Sequence, residues 1–408
     1  MSDLINVIGL GYIGLPTALM MASQGIMVVG SDIDTKRVEL LKKGKLTFEE
    51  NGLEKLYKSA RDNGIRFTSS YEKANIYVVA VPTPFNKSNK KIVADYLISA
   101  IQNIVCVCDD NAIIVVESTI SPGTIDMFVR PIVNECSRKN KIIHLAHAPE
   151  RIIPGNMINE LIYNNRTIGV DDIWIGEKIK GIYATFCKGE IELTDIKTAE
   201  MSKVVENAYR DINIAYANEL VKICREAKVD VYELIRIANK HPRVNILTPG
   251  PGVGGHCISV DPWFLVGDYP GLTNIILSAR KINDSMPEYV LARISEIMEE
   301  FDISTVNRVG LYGLTYKENV DDVRESPTLQ LIECMKRHLA RGIKVYDPYI
   351  KEHIVENQYY DFKEFIKDID LLVIMVGHNE IRNKEDEIGH LKVLDTRNIF
   401  MRNDVFKL

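Results

Sequence analysis

Long apolar runs are missing from this 408-residue chain. None approaches the ~18 residues a membrane-spanning helix needs, and stretches such as Leu371–Val376 have only the length of a buried strand. The N-terminus enters a strand almost at once, with no basic region followed by an apolar segment. A secretory signal is therefore not expected, and a cytoplasmic protein without membrane contact is. A large charge of one sign is also missing. Fifty Lys and Arg against fifty-six Asp and Glu give a formal charge of −6, which argues against a general nucleic-acid binder. The seven cysteines, at 106, 108, 136, 187, 224, 257 and 334, form no C-x-x-C pair. Neither a zinc knuckle nor a disulfide framework is indicated, and no metal is expected. There is no short-period repeat and no low-complexity segment.

What is present is an ordered change of pattern. Ile5–Leu10 and Met27–Ser31 read as strands, with a helix at Leu15–Gln24 between them. A charged helix follows from about Thr35, then buried strands at Ile76–Val81, Ile113–Val116 and His144–His147. Strands alternating with helices predict a parallel sheet covered on both faces. From Lys197 to Lys228 there is neither proline nor glycine, and apolar residues at 201, 204, 205, 208, 212, 215 and 216 keep helical spacing. One long helix is predicted there, with a second at Val231–Asn239. The segment His241–Pro262 is too rich in proline and glycine for regular structure. Helices at Thr273–Asn283 and Glu288–Phe301 come next. The alternating pattern then returns: strands at Arg308–Tyr312, Lys344–Tyr346, Leu371–Val376 and Lys392–Leu394, and a helix at Thr328–Arg341. The expected plan is α/β: two Rossmann-like doubly wound domains joined by a helical central domain with a long helix. The boundaries read as 1–196, 197–300 and 301–408.

The first turn carries Gly9-Leu-Gly11-Tyr12-Ile13-Gly14 between a strand and a helix, and Asp32 ends the next strand. Gly9 permits the tight turn, Gly11 lets backbone approach a pyrophosphate at the helix N-terminus, and Gly14 allows close helix–strand packing. Asp32 suits a ribose hydroxyl pair and would repel a 2′-phosphate, which predicts NAD over NADP. Asp34 competes for that role but reads better as a helix N-cap.

Three further segments hold polar residues in unusual company. Glu117-Ser-Thr119 follows a buried strand, so Thr119 either faces the ligand crevice or caps a helix. Lys203 and Asn207, four apart, share one face of the long helix. They suit a developing oxyanion, or they form a solvated face. Gly250-Pro-Gly252-Val-Gly254-Gly255-His-Cys257 is followed by Asp261. A thiolate in such a loop can add to an aldehyde, and the thiohemiacetal can lose a hydride to become a thioester. The alternatives are a structural cysteine, a Cys257–His256 pair or a metal site.

Taken together these segments resemble the UDP-glucose/GDP-mannose dehydrogenase family of NAD-dependent nucleotide-sugar 6-dehydrogenases. Val79-Ala-Val-Pro-Thr-Pro84, Pro149-Glu150, Ala199-Glu-Met-Ser-Lys203, Asp261-Pro and Lys317…Asp321-Asp-x-Arg324-Glu-Ser match in the family's order, so the resemblance spans nearly the whole chain. Pro154, His256 and Val260 depart from the UDP-glucose branch. Arg210-Asp-x-Asn213, His241-Pro-Arg243-Val-Asn245 and Pro249–Ile258 resemble the N-acetylmannosamine branch, with N-acetylglucosamine and glucose as the alternatives.

The resemblance implies oxidation of a UDP-sugar's C6 alcohol to a carboxylate with NAD. Cys257 would be the nucleophile, Lys203 would stabilise the oxyanion, and Asn207 with Asp261 would hold a water. Glu150 would be a general base and Thr119 would support the water network. It further implies cofactor contacts from Gly9, Gly11, Tyr12, Ile13, Gly14, Asp32, Arg37, Pro82, Thr83, Thr119 and Arg324. Substrate contacts would come from Glu150, Arg151, Lys203, Asn207, Arg210, Gly252, Gly254, Gly255 and Lys317, with Arg243 reaching a neighbouring subunit of a homodimer or higher oligomer. Arg37 also reads as an exposed helix residue, and Lys317 and Arg324 as surface partners of Asp321 and Asp322. The remaining cysteines and His144, His147, His338, His353, His378 and His390 read as structural. Two other functions fit the same segments: a two-electron hydroxy-acid dehydrogenase, and a nucleotide-sugar sensor without turnover.

Overall fold

A computed structural model describes residues 3–137, 141–255, 257–338, 342–402 and 404–408. His256, one member of the expected Cys–His alternative, lies outside the described residues, as does the end of the helix expected to reach Arg341. The chain divides into two compact units. One comprises residues 1–206 and 263–268, the other 207–262 and 269–408.

In the first unit the strands are β1 (Leu4–Ile8), β2 (Met27–Ser31), β3 (Arg66–Thr68), β4 (Ile76–Val79), β5 (Ala112–Val116), β6 (Ile143–His147), β7 (Arg166–Val170) and β8 (Ile191–Thr194). The helices between them are α1 (Gly14–Ser23), α2 (Thr35–Lys42), α3 (Leu53–Asp62), α4 (Asp95–Val107), α5 (Arg130–Ser137), α6 (Met157–Tyr163) and α7 (Ile173–Tyr183). The sheet order is β3-β2-β1-β4-β5-β6-β7-β8. The pairing is parallel except between β6 and β7, which run antiparallel, a departure from the all-parallel sheet expected. Only the short helix α6 separates these two strands, and an antiparallel neighbour needs no full crossover. Both faces are covered, as the alternation of side chains along a strand requires. Ile113 and Val115 of β5 enter one core while Ala112, Ile114 and Val116 enter the other.

The long helix α8 runs Ile196–Glu226, and the division between the units falls within it. Next come α9 (Val231–Ala238), a loop, α10 (Asp261–Asp268), α11 (Asn274–Asp284) and α12 (Met286–Glu300). Pro262, expected in the loop, sits in the first turn of α10, where a missing N–H costs nothing.

The second unit's sheet is wholly parallel, with order β11-β10-β9-β12-β13-β14. Its strands are β9 (Val309–Tyr312), β10 (Lys344–Tyr346), β11 (Gln358–Tyr359), β12 (Leu371–Ile374), β13 (Lys392–Asp395) and β14 (Phe406–Lys407). Helices α13 (Pro327–Arg337), α14 (Phe362–Lys367) and α15 (Asn379–Arg382) complete it. Ala217 and Val221 of α8, Val231 and Ile235 of α9 and Val290, Ile294 and Ile297 of α12 share a core with Leu311, Val345 and Val373. The other face is an aromatic cluster of Tyr312, Tyr346, Phe362 and Phe365.

Candidate active site

In the first sheet β1 lies between β2 and β4, so the strand order reverses at its carboxyl end and a crevice forms there. Gly9 turns the chain with φ +91°, and a Cβ on it would lie 2.4 Å from the carbonyl oxygen of Ala80. A Cβ on Gly14 would lie 1.9 Å from the carbonyl oxygen of Gly9. Gly11 differs from both: a Cβ there would meet no protein atom within 4 Å. Two glycines are thus demanded by the fold, and the third leaves open space over the start of α1. No side chain caps that helix. A diphosphate fits such a place, where the helix N-terminus and its dipole favour an anion.

Asp32 stands at the end of β2 with its carboxylate almost filled. Oδ2 accepts from Leu10 N at 2.7 Å and from Arg37 Nη1 at 2.8 Å, and Oδ1 accepts from Asp34 N at 2.8 Å. Arg37 is therefore tied to the acid. Asp34 caps α2 by accepting from Lys36 N and Arg37 N. Tyr12 stacks on Phe48 with ring centroids 4.4 Å apart. Ile13 immediately precedes α1, and Pro82 is exposed. Thr83, after β4, donates to the carbonyl of Thr119, after β5, at 2.6 Å. Thr119 caps no helix. Its loop is held to α8 by Glu200, whose carboxylate accepts from Gly123 N and from Ile125 N at 2.9 Å. Burial pushes the Glu200 carboxyl up to about 7. Lys203 follows one turn later and is buried.

Glu150 is more enclosed than the sequence suggests. Its Oε2 accepts from Arg166 Nη2, and its Oε1 accepts from Arg151 N at 2.8 Å. Arg166 also faces Glu117 (3.7 Å) and lies over the Tyr183 ring (4.4 Å), whose hydroxyl donates to Glu117 at 3.1 Å. One guanidinium serves two buried carboxylates. Burial first, and then the charge of Glu150, push Glu117 up to about 8. This group was missed in the sequence because Glu117 and Arg166 are 49 positions apart. The side chain of Arg151 is spent on Glu206 and Thr167.

In the second unit Cys257 is half-buried on the glycine-rich loop. Its carbonyl accepts from Val260 N (3.0 Å) and Asp261 N (2.8 Å), which turns the chain into α10. Asp261 is buried and accepts from Asn207 Nδ2 at 2.6 Å, so the structure joins two of the expected catalytic residues. Gly254 and Gly255 are required by close approach. Cβ atoms there would lie 2.7 and 2.8 Å from the side chain of Tyr316. Gly255 N donates to the carbonyl of Arg324 at 2.9 Å, and Gly252 lies against Pro327. The loop is thereby laid along the segment that carries half-buried Lys317 and exposed Arg324. The Arg324 side chain donates to Asp322, with Nε at 2.9 Å. Arg210 and Arg243 are exposed.

The second sheet repeats the first turn with one change. Gly313 (φ +99°) bonds the end of β10 through Tyr346 O at 2.8 Å, as Gly9 bonds Ser31 O at 2.8 Å. Leu314 N donates to Asp347 at 2.6 Å, as Leu10 N donates to Asp32 at 2.7 Å. Where Gly11 leaves open space, buried Thr315 donates to Lys317 O at 2.8 Å. Asp347 is capped by His378 at 3.2 Å. The second turn is thus closed by its own side chains, and the segment from Tyr316 to Ser326 stands where the first turn runs directly into a helix.

Family models cover the chain in three consecutive stretches. The NAD binding domain of the UDP-glucose/GDP-mannose dehydrogenase family matches residues 3–187, its central domain 197–285 and its UDP binding domain 310–402. The chain belongs to that family. It is a nucleotide-sugar dehydrogenase with a nicotinamide cofactor. It is 43% identical to a UDP-N-acetyl-D-mannosamine dehydrogenase of Methanocaldococcus jannaschii, over 98% of this chain and 93% of that one. A UDP-D-ManNAc dehydrogenase structure from Pyrococcus horikoshii is 36% identical and superposes with a TM-score of 0.90, over 98% and 96% of the two chains. The UDP-N-acetyl-mannosamine dehydrogenase of Staphylococcus aureus is 38% identical with a TM-score of 0.88, over 99% and 97%.

Proposed function

We propose that this enzyme oxidises the C6 primary alcohol of UDP-N-acetyl-D-mannosamine to the carboxylate with two NAD⁺ and one water. The observation that carries the reading is the glycine-loop Cys257, one turn before an Asp261 already bonded to Asn207 at 2.6 Å. The identity to the mannosamine enzymes over 98% of the chain supports the sugar.

Bound NAD⁺ accepts the C6 hydride in each oxidation. Lys203, buried on α8, offers a cation to the oxygen as it loses its proton. The Cys257 thiolate adds to the aldehyde carbon, and the carbon–sulfur bond holds the sugar through loss of the second hydride. Asn207 and Asp261 orient the water that attacks the resulting thioester. Its proton passes to Glu150, directly or through a second water supported by Thr119, and the thiolate leaves. Atoms balance as one alcohol, one water and two NAD⁺ giving one carboxylate, two NADH and three protons.

Asp32 and the Gly9–Gly14 turn support NAD over NADP, with Tyr12, Ile13, Arg37, Pro82, Thr83, Thr119 and Arg324 as further contacts. Lys317 and the loop at Gly252, Gly254 and Gly255 would take the UDP portion, and Arg151 and Arg210 would lie near the sugar. In this reading residues 1–196 hold the cofactor, 197–300 carry the nucleophile and 301–408 hold UDP. A homodimer formed along α8 is supported by Tyr209, Tyr216 and Ile223, which recur every seven residues and are each more than half exposed. Such a dimer would let Arg243 reach the partner's sugar. A cytoplasmic setting suits the cofactor, and no helix of the described residues is long and apolar enough to cross a membrane.

Steady-state kcat/KM for UDP-N-acetylmannosamine, UDP-N-acetylglucosamine and UDP-glucose tests the sugar. The mannosamine sugar should lead by at least tenfold; a lead for either of the others rejects it.

A further inference from the structure

Asn207, Asp211 and Asn218 recur on α8 at intervals of four and seven, which places them in one narrow stripe of the helix. Each leads to the loop that carries Cys257. Asn207 holds Asp261 (2.6 Å), beyond the cysteine. Asn218 Oδ1 accepts from Gly250 N (2.9 Å), before it. Between them Asp211 holds Arg280 of α11 at 2.6 Å, and the same Nη1 of Arg280 donates to the carbonyl of Ile258 at 3.4 Å. Asn283 closes the network. It donates to Asp211 Oδ1 (2.7 Å) and to its carbonyl (3.0 Å), and it accepts from Asn218 (2.9 Å). Arg280 is 1% exposed, and Asp211, Asn218 and Asn283 are fully buried.

A buried ion pair is weak support for stability, because desolvation offsets most of the attraction. A loop rich in glycine and proline has no ladder of its own to fix its backbone. Arg280 meets that need at the residue after the nucleophile. We propose that Arg280, held by Asp211 and Asp284, with Asn283 bracing Asp211, is a positioning residue that fixes the backbone at Ile258 and so aims the Cys257 sulfur. This rests on the reading of Cys257 as nucleophile.

The test uses the full-length enzyme with Arg280→Lys, Asp211→Asn and Cys257→Ala. Lysine keeps the charge but lacks the planar fork whose Nη2 is anchored on Asp284 while Nη1 reaches both Asp211 and the Ile258 carbonyl. Two readouts are taken: kcat against the KM for each substrate, and the rate of iodoacetamide alkylation at Cys257 followed by peptide mass spectrometry. Arg280→Lys should lower kcat at least tenfold, leave the KM for NAD within twofold and change the alkylation rate at least fivefold. Asp211→Asn should do the same to a smaller degree. A folded Arg280→Lys enzyme with kcat and alkylation both within twofold of wild type overturns the proposal. So does loss of fold in both variants, since the network would then serve stability. Near-normal turnover by Cys257→Ala instead rejects the nucleophile reading itself.

Discussion

Gly9 and Gly11, two residues apart, should respond to the same substitution in opposite ways. Alanine at Gly9 must adopt φ +91° and place its Cβ 2.4 Å from the backbone oxygen of Ala80. The left-handed conformation costs about 1–2 kcal/mol. Forcing β4 aside to relieve the overlap costs about 1–3 kcal/mol more. At roughly 2–4 °C per kcal/mol for a domain of this size, Gly9→Ala should lower Tm by roughly 5–20 °C. Alanine at Gly11 meets nothing within 4 Å, so its effect on stability should stay within about 0.5 kcal/mol. Its methyl group occupies the space offered to the diphosphate, and Kd for NAD should rise at least about tenfold, or 1.4 kcal/mol. Differential scanning fluorimetry with titration calorimetry separates the two effects. The reasoning is refuted if Gly11→Ala binds NAD as wild type does, or loses as many degrees as Gly9→Ala.

Asp32→Asn should weaken NAD far more than the UDP-sugar; equal losses by calorimetry contradict a ribose role. Cys257→Ser should lose overall turnover while keeping UDP-sugar affinity within about threefold, and near-normal NADH production by this variant rules out the thioester. Glu117 gives a prediction about pH. Its carboxyl is raised from 4.5 to about 8 by burial, so the folded state keeps a proton that the unfolded chain releases. Its contribution is most favourable below about pH 4.5 and is lost as pH rises through 8. Glu117→Gln removes that dependence, so its Tm should gain on wild type between pH 5 and 8.5. A constant difference across that range shows that the group is not protonated in the fold.

The order of elements was legible because buried strands and amphipathic helices write their periods into the chain. Met27–Ser31 and Lys344–Tyr346 match to the residue, and the proline- and glycine-free stretch from Lys197 became α8. The short β3, with one buried residue, and the exposed-edged β8 left no comparable period. The reversal at β7 depends on how far a connection must travel, which a local pattern does not record. At the first turn the glycine spacing spoke directly, since Gly9 answers to its own positive φ and Gly14 to the carbonyl of Gly9, five positions earlier. The acid–base groups were harder. Glu150 could be named, but its enclosure by Arg166 depends on β7 lying beside β6. Arg280 carried no signal of its own in a helix of mixed polarity. The visible hint was on α8, where Asn207, Asp211 and Asn218 keep one face polar.

The central claim is a four-electron oxidation through Cys257, and the number of NADH formed per UDP-N-acetylmannosamine consumed tests it most directly. Two NADH per sugar, with no free aldehyde released, is the predicted result. One NADH per sugar would contradict it and make this an ordinary two-electron dehydrogenase.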